Sequence, residues 1–237
     1  MGADVALVAR DAQKLAAARD QLTATHPGSR VLTLSLDIAN HKGAQSELDG
    51  LLRDLGGLDV LVNNAGSMTL GLFSEITLER HAAAMEANYT GHLTMTHLLL
   101  PAIKESKQGR IVFVSSVAGF LGIYGYSAYS PAKFAMTGLA ECLRQELKDS
   151  GVTVSVAFPP DTETPMLTYE KDHGLAETKA LAGKVKPKSA DFVAGRIVSG
   201  AMAGKFEIFF ELESPVIRFV KAFAPRIFFA VIDRIIR

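Results

Sequence analysis

The stretch "GRIVFVSSVAG" at residues 109–119 joins a run of Ile, Val and Phe residues to small polar residues and a glycine. Apolar side chains occupy consecutive positions from 111 to 114, so both faces of the expected strand should be covered. Strands of this kind belong to parallel sheets that carry helices on each side. A helical pattern at 128–149 follows, as such a sheet requires.

The same alternation extends along the chain and predicts an α/β fold, a Rossmann-like doubly wound parallel sheet with helices on both faces. A polar stretch at 160–188 is predicted to be a long loop with a short helix, placed to cover a ligand crevice. The apolar runs lie at 3–9, 30–36, 58–64, 109–116, 152–158 and 206–210, and the helical patterns at 11–26, 41–55, 78–105, 128–149 and 189–203.

The composition excludes several classes of function. Lys plus Arg and Asp plus Glu both number 25, so no global charge attracts nucleic acid. The single cysteine, Cys142, rules out an internal disulfide, fits a reducing compartment, and is expected in the core. The six histidines show no metal-ligand spacing, so no metal is expected. The sequence contains no run of about 18 apolar residues, so no membrane-spanning helix is predicted. We expect a cytoplasmic protein.

In "YSAYSPAK" (126–133), Tyr129 and Lys133 stand four residues apart and can share one helical face. A phenol has a pKa of about 10, too high for acid–base work near neutrality unless its anion is stabilised. An ammonium about 4 Å away supplies roughly 4 kcal/mol at an effective dielectric of 20, or about three pKa units before desolvation. Tyr129 could then exchange a proton with a ketone oxygen. A tyrosine and lysine at this spacing also occur by chance on solvated helix faces.

Other residues strengthen this interpretation. Ser116 ends a predicted strand, where its hydroxyl can bond a substrate oxygen. The segment "LVNNAG" (61–66) ends another strand with small and amide residues, which lets a cofactor approach the backbone. Asn88 stands inside a helical pattern, where an amide is otherwise disfavoured.

Taken together, these motifs resemble the classical short-chain dehydrogenase/reductase family over nearly the whole chain to about residue 210. The resemblance implies that Ser116 positions the carbonyl and that Tyr129 is the general acid/base. It implies that Lys133 lowers the pKa of the tyrosine and holds the nicotinamide ribose, while Asn88 supports a water in a proton relay.

The resemblance also implies a set of cofactor contacts. Asp37 would contact the adenine, and Thr164 in "FPPDTETP" would bind the carboxamide. In that motif Pro160 replaces the family's usual glycine, and this departure reduces the number of subgroups to which the chain could belong. The implied cofactor-binding residues are Arg10, Asp37, Asn63, Ala65, Gly66, Tyr129, Lys133, Pro159 and Thr164.

Physical reasoning favours NADP(H) over NAD. An NAD enzyme commonly ends its second strand with an acid that binds the ribose 2′-hydroxyl. In this chain the corresponding strand is 3–9, where Ala9 takes that position and Arg10 follows. A guanidinium suits a 2′-phosphate. Asp11 complicates this argument, although acids are common at helix N-termini.

The "PPDTETP" motif and the hydrophobic C-terminal segment are similar to the 3-ketodihydrosphingosine reductases within this family. This similarity implies reduction of a lipid ketone in sphingolipid synthesis. Reduction of a 3-oxoacyl thioester or of a steroid or retinoid remains an alternative.

The family's opening strand and glycine-rich turn are not found, because "GADVALVAR" corresponds to the family's second strand. We therefore expect a chain shortened at its N-terminus, in which two strand edges lose their partner. A further alternative is a non-catalytic remnant that cannot bind the cofactor tightly.

Residues 1–210 are predicted to form the nucleotide-binding domain and 211–237 a hydrophobic, basic tail. From Pro215 onward five Lys and Arg residues oppose Asp233, and the last helical pattern places apolar and charged residues on opposite faces. Residues 215–237 could lie on a membrane surface or pack on the domain or in a dimer interface. The expected partners are a lipid ketone and a second copy of the chain, without nucleic acid.

Overall fold

A computed structural model describes residues 2–38, 43–182 and 186–236. All strand pairs are parallel, in two sheets of order β1-β2 and β3-β4-β5-β6. The predicted doubly wound α/β architecture is confirmed. The strands are β1 (Val5–Ala9), β2 (Val31–Ser35), β3 (Val60–Asn63), β4 (Arg110–Val114), β5 (Thr153–Ala157) and β6 (Glu207–Ile208).

Helices connect the strands at the positions that the periodicity predicts. Residues 41 and 42 of one predicted helix, and residues 183–185 of the predicted loop, lie outside the described part of the chain. The helices are α1 (Ala12–Thr25), α2 (Ala44–Leu55), α3 (Leu78–Met85), α4 (Gly91–Glu105), α5 (Tyr129–Glu146), α6 (Pro165–His173), α7 (Ala176–Ala182), α8 (Ala190–Met202), α9 (Glu213–Phe223) and α10 (Pro225–Ile235).

Local sequence explains where several helices begin and end. The Asp11 carboxylate accepts hydrogen bonds from the backbone N–H groups of Gln13 and Lys14, and so caps α1. Thr77 caps α3 in the same way. Gly56 ends α2 with φ of 84°, a left-handed conformation that favours glycine. Pro131 lies in the first turn of α5, where a missing N–H does little harm.

The main core lies between the larger sheet and its helices. Phe113 and Phe158 belong to it with no exposed surface, and Ile103 of α4 and Met136 of α5 are equally buried. Cys142, expected in the core, is exposed. It stands on the outer face of α5, since Met136 and Ala140 occupy the face that packs on the sheet.

The sheet is divided between β1 and β3. Within the described residues, β1 pairs only with β2 and β3 only with β4, which corresponds to the two open edges that we predict. Val60 and Val62 of β3 are 38% and 48% exposed, while Leu61 between them is buried. One face of β3 therefore lacks the cover that a strand in the interior of a sheet has.

The smaller sheet nevertheless contacts a helix that packs on the larger one. Ile38 follows β2, and its side chain lies so close to Gly91 of α4 that an added Cβ there would meet it at 2.6 Å. The carboxyl end of β2 thus reaches the helix that follows β3 and its loop.

The stretch 160–188 contains α6 and α7, more helix than predicted. It is anchored at its base by backbone hydrogen bonds between residues 161–163 and Lys188. The Thr178 hydroxyl donates to the carbonyl of Tyr124, which ties α7 to the loop before α5.

The C-terminal segment forms two helices that meet at Pro225. Two of its predicted basic residues hold it to the domain: Arg218 pairs with Glu207 and Glu141, and Lys221 donates to the carbonyl of Phe120. Phe228 of α10 is buried. Arg218 and Lys221 therefore contact the domain, whereas Arg237 lies outside the described residues. In the part of the chain that the structure describes, no helix is long and apolar enough to span a membrane.

Two glycines of α8 provide a test of the packing. A Cβ at Gly200 would lie 2.8 Å from the Ile208 side chain, whereas one at Gly195 would meet no heavy atom within 4 Å. We expect Gly200→Ala to lower the free energy of unfolding by roughly 1–3 kcal/mol through overpacking. Gly195→Ala, the matched control, should raise it by about 0.5–1 kcal/mol. Urea unfolding measures both, and equal effects would contradict this packing of α8 on β6.

Candidate active site

The candidate site lies at the carboxyl edge of the larger sheet, where parallel strands release their loops together. Ser116 follows β4, and Pro159 with Thr164 follows β5. Asn63 ends β3, and Ala65 and Gly66 lie in the loop that follows it. The first turn of α5 brings Tyr129 and Lys133 to the same edge.

Buried hydroxyls fix α5 against the end of β4. Ser115 donates to the carbonyl of Lys133 at 3.2 Å, and Thr137 donates to the carbonyl of Gly119 at 3.2 Å. Gly119 allows this contact, because a Cβ there would stand 2.1 Å from the Ser115 hydroxyl. Ser115 and Thr137 were not singled out from the sequence. Two features of the sequence could have indicated them: a pair of serines at the end of a strand, and a threonine four residues after Lys133.

Tyr129 is 5% exposed, and Ser116 lies within reach of its phenol. Burial raises the pKa of Tyr129, while hydrogen bonding by Ser116 opposes the rise and the charge of Glu170 adds to it. The pKa is thus raised overall, opposite in direction to the lowering expected from Lys133. The cost of burying the phenolate exceeds the stabilisation that its neighbours provide.

Lys133 lies over the Tyr129 ring, with Nζ 5.6 Å from the ring centroid. Its ammonium donates to the carbonyl of Val114 at 3.0 Å. Burial lowers the pKa of Lys133 to about 8. The two side chains thus share one face, as their spacing predicts, but the ammonium contacts the ring and not the hydroxyl.

Asn88 is fully buried in a π-helical turn, Glu86–Thr90, between α3 and α4. Its amide nitrogen donates to the carbonyls of Ser67 and Ala84, and its oxygen accepts from the N–H of Ser67 at 3.3 Å. The amide therefore holds the loop after β3. Turns of this kind are frequent at functional sites.

The loop after β3 presents backbone to the site. Ala65 and Gly66 are exposed, while Asn63 is buried and donates to the Thr96 hydroxyl of α4 at 2.9 Å. A Cβ on Gly66 would lie 2.7 Å from the Asn88 oxygen and 3.8 Å from Lys133 Nζ. A side chain there would fill the space in front of the lysine.

The remaining predicted residues lie around this edge. Arg10 follows β1 and Asp37 follows β2, and both are exposed. Pro159 is half-buried, and its carbonyl accepts from the N–H of Val117. The Thr164 hydroxyl caps α6 by accepting from the N–H of Leu167 at 3.5 Å.

His92, which was not among the residues predicted from the sequence, is 1% exposed at the start of α4. Its ring nitrogens have no hydrogen-bond partner among the described residues, although the carbonyls of Ala65 and Asn88 lie near. Burial, and then the charge of Lys133, lowers the pKa of His92 to about 4. A neutral ring therefore borders the lysine. The signal in the sequence is its position four residues after Asn88.

Tyr126 and Glu170 were also missed. The Tyr126 hydroxyl donates a short hydrogen bond to the Glu170 carboxylate, and the Tyr126 ring packs edge-on against Tyr129 with centroids 5.7 Å apart. Burial, and then Glu170, raises the pKa of Tyr126. No local sequence signal joins these residues, because α6 meets this loop only in the folded chain.

Comparison with known proteins agrees with this geometry. Residues 1–174 match the family model described as short chain dehydrogenase. The chain belongs to the short-chain dehydrogenase family. The family predicted from the motifs is thereby confirmed.

Two relatives and one solved structure are similar to this member of the family. A 3-dehydrosphinganine reductase of Danio rerio is 39% identical over 86% of this chain and 63% of its own length. A 3-ketodihydrosphingosine reductase of Dictyostelium discoideum is 39% identical over 78% of this chain and 56% of its own length. The chain thus spans less than two thirds of either relative. The crystal structure of a levodione reductase, 21% identical, covers 90% of this chain and 89% of its own with a TM-score of 0.81, which shows the shared fold.

The residues present fit a nicotinamide cofactor of the kind that family members use. The exposed backbone of Ala65 and Gly66 permits close approach, and the buried Lys133 ammonium stands beside it. Both features also serve the fold, since a Cβ on Gly66 would lie 2.7 Å from the Asn88 oxygen and the Lys133 ammonium satisfies the buried carbonyl of Val114.

The burial of Lys133 has a measurable consequence for stability. Between its folded pKa of about 8 and its ordinary value of 10.5, the unfolded chain binds more protons than the folded one. Folding therefore gains stability as the pH rises through this window. We expect the free energy of unfolding of the native chain, relative to Lys133→Met, to increase by about 1–3 kcal/mol between pH 7.5 and 10.5.

Urea unfolding of both proteins at several pH values measures this difference. Lys104→Met removes an exposed lysine of α4 and serves as the control, with no comparable change expected. A constant difference between the native chain and Lys133→Met would show that the ammonium is not desolvated.

Proposed function

We propose that this protein is an NADPH-dependent ketone reductase whose substrate is a long-chain 3-keto sphingoid base, 3-ketodihydrosphingosine. The observation that carries the proposal is the meeting of Ser116, Tyr129, Lys133 and Asn88 at one strand edge, each held by its own contacts. The similarity to reductases named for this substrate supports the choice of ketone.

In this proposal Ser116 holds the substrate carbonyl oxygen and Tyr129 donates a proton to it as the ketone is reduced. Lys133 holds the ribose and provides positive charge beside the phenol. Asn88 keeps the loop after β3 in place and supports proton supply to Lys133. NADPH, when bound, supplies the hydride.

The phenol of Tyr129 is in the form that ketone reduction requires. Burial raises its pKa further above neutrality, so the phenol carries its proton at neutral pH. Oxidation of an alcohol would first require loss of this proton, which the buried site disfavours.

Arg10, Asp37, Asn63, Ala65, Gly66, Tyr129, Lys133, Pro159 and Thr164 would hold the cofactor. Arg10 supports the choice of NADP(H) over NAD, because its exposed guanidinium forms no ion pair with any described residue. Asp11, which complicated the sequence argument, uses one carboxylate oxygen to cap α1 and the other to meet Lys14. It therefore does not compete for the ribose.

An assay with 3-ketodihydrosphingosine tests the proposal. We expect oxidation of NADPH in preference to NADH, and Tyr129→Phe should lose at least about a hundredfold in kcat/KM because the proton donor is removed. Tyr169→Phe, which alters a half-exposed phenol of α6, is the matched control and should retain activity. Circular dichroism verifies that both variants fold.

The same assay decides between the alternatives. Faster turnover of an acetoacetyl thioester or a steroid ketone would replace the substrate proposed here. In a titration followed by nicotinamide fluorescence, absence of saturable NADPH binding up to millimolar concentration would favour a non-catalytic remnant. Activity retained by Tyr129→Phe would overturn the role of the tyrosine.

The proposed nucleotide-binding domain spans residues 1–210, and residues 211–237 form the tail. We further propose that the tail contacts an anionic lipid surface. The outward face of α10, the tail stripe, joins exposed Ile227, Val231 and Ile235 to Arg226 and Arg234. Apolar side chains bordered by arginines suit the boundary between headgroups and acyl chains. Phe219 and Phe223 of α9 are also exposed, at 60% and 75%.

Vesicle sedimentation tests the contact of the tail stripe with lipid. We expect the native protein to sediment with phosphatidylserine-containing vesicles more than with neutral ones, and Ile227→Asp/Val231→Asp to remain in solution. Ala222→Asp, at an exposed position of α9, is the control. If the double variant instead dissociates a dimer in analytical ultracentrifugation and lipid binding is absent, the stripe is an interface between copies of the chain.

A further inference from the structure

Glu170 places a carboxylate near Tyr129 that the proposed reaction does not use. Its Oε1 accepts from the Tyr126 hydroxyl, and the Tyr126 ring contacts the ring of Tyr129. The charge of Glu170 also reaches the Tyr129 phenol, whose pKa it raises. One tyrosine therefore separates this carboxylate from the proton donor.

The negative charge at this position has no contacting cation within the described part of the chain. Neither Glu170 nor the half-buried Asp161 near it forms a salt bridge there, and Lys188 pairs with Glu211 instead. Burial raises the pKa of both carboxyl groups, and the charge of Asp161 adds to the rise at Glu170, while the charge of Lys171 lowers both pKa values without forming a salt bridge. The second carboxylate oxygen of Glu170 is therefore open to a cationic group of a ligand.

A cavity beside Tyr126 provides an independent indication of a ligand. It has a volume of about 410 Å³ and is bordered by Leu72, Phe73 and Ile123 as well as Tyr126. The Ser130 hydroxyl is 5% exposed, lines this cavity, and has no hydrogen-bond partner among the described residues. A buried hydroxyl without a partner indicates that a polar group of a ligand completes the site.

We propose that Glu170 binds the ammonium group of an amino ketone, so that the site selects ketones with a protonated amine on the carbon next to the carbonyl. This inference rests on the proposed function and specifies which residue recognises the head of the substrate. The proposal requires that, when Ser116 and Tyr129 hold the carbonyl oxygen, the adjacent carbon faces Tyr126 and Glu170. Asp161 adds negative charge to the same side.

Recognition of an ammonium differs from a purely structural role of Glu170, which we call a latch. A latch would need only the hydrogen bond between Tyr126 and Glu170, which fastens α6 to the loop before α5. Recognition of an ammonium needs the negative charge and the second carboxylate oxygen, which accepts no hydrogen bond from a described residue. The two roles therefore respond differently to substitutions that remove the charge or the hydrogen bond alone.

The test compares 3-ketodihydrosphingosine with its desamino analogue, a ketone of the same chain length that carries hydrogen in place of the amine. Glu170→Gln keeps the size of the side chain and an acceptor for Tyr126 but removes the charge. We expect it to lower kcat/KM for the amino ketone by about tenfold or more, the effect of losing a hydrogen bond to a charged group. Its kcat/KM for the desamino analogue should not change.

Two further variants serve as controls. Tyr126→Phe removes the hydrogen bond and keeps the charge, so it should preserve the preference for the amino ketone. Glu163→Gln removes an exposed carboxylate of the same loop and should affect neither substrate. An equal loss on both ketones in Glu170→Gln would assign Glu170 to the latch and overturn the proposal.

Failure of the proposed function has a different signature. If the native protein reduces neither ketone, equilibrium binding of dihydrosphingosine and of octadecane-1,3-diol still tests Glu170. Tighter binding of the amine, lost in Glu170→Gln, supports the ammonium site without a reductase. Equal binding of the amine and the diol overturns it.

Discussion

The docking of α5 on the end of β4 is the constraint on which the site depends. Hydroxyls of Ser115 and Thr137 bind backbone carbonyls of Lys133 and Gly119 in a region closed to water. Because an unsatisfied buried hydroxyl or carbonyl is costly, the first turn of α5 has one favourable position. That position places the phenol of Tyr129 beside Ser116. It also allows the ammonium of Lys133 to donate a hydrogen bond to the carbonyl of Val114.

A second constraint acts on the loop after β3. The π-helical turn brings the Asn88 amide inward, and three hydrogen bonds to Ser67 and Ala84 satisfy it. An amide in a helix interior normally weakens the helix, so the turn exchanges helical regularity for a rigid loop. The loop can then present Gly66 and Ala65 as bare backbone. Positioning of this kind allows a ligand to bind without ordering the protein first.

The electrostatics of the site follow from burial more than from charge pairing. Burial raises the pKa of Tyr129 and lowers those of Lys133 and His92, so each group is drawn toward its neutral form. A pair of opposite charges would have lowered the pKa of the tyrosine. The burial was not predictable from the spacing of Tyr129 and Lys133, because the spacing of two residues reveals their shared face and not the solvent around them.

Residue patterns alone were sufficient for the parallel α/β architecture, the boundaries of most elements, and the grouping of Ser116, Tyr129 and Lys133. These depend on local periodicity and on the rule that parallel strands release their loops at one edge. Tertiary structure decided the features that join distant segments: Glu170 against Tyr126, Asn63 against Thr96, and the use of Arg218 and Lys221 to hold the C-terminal helices. The physical reason is that charge and hydrogen-bonding capacity are properties of a residue, whereas burial and partners arise only when the chain packs.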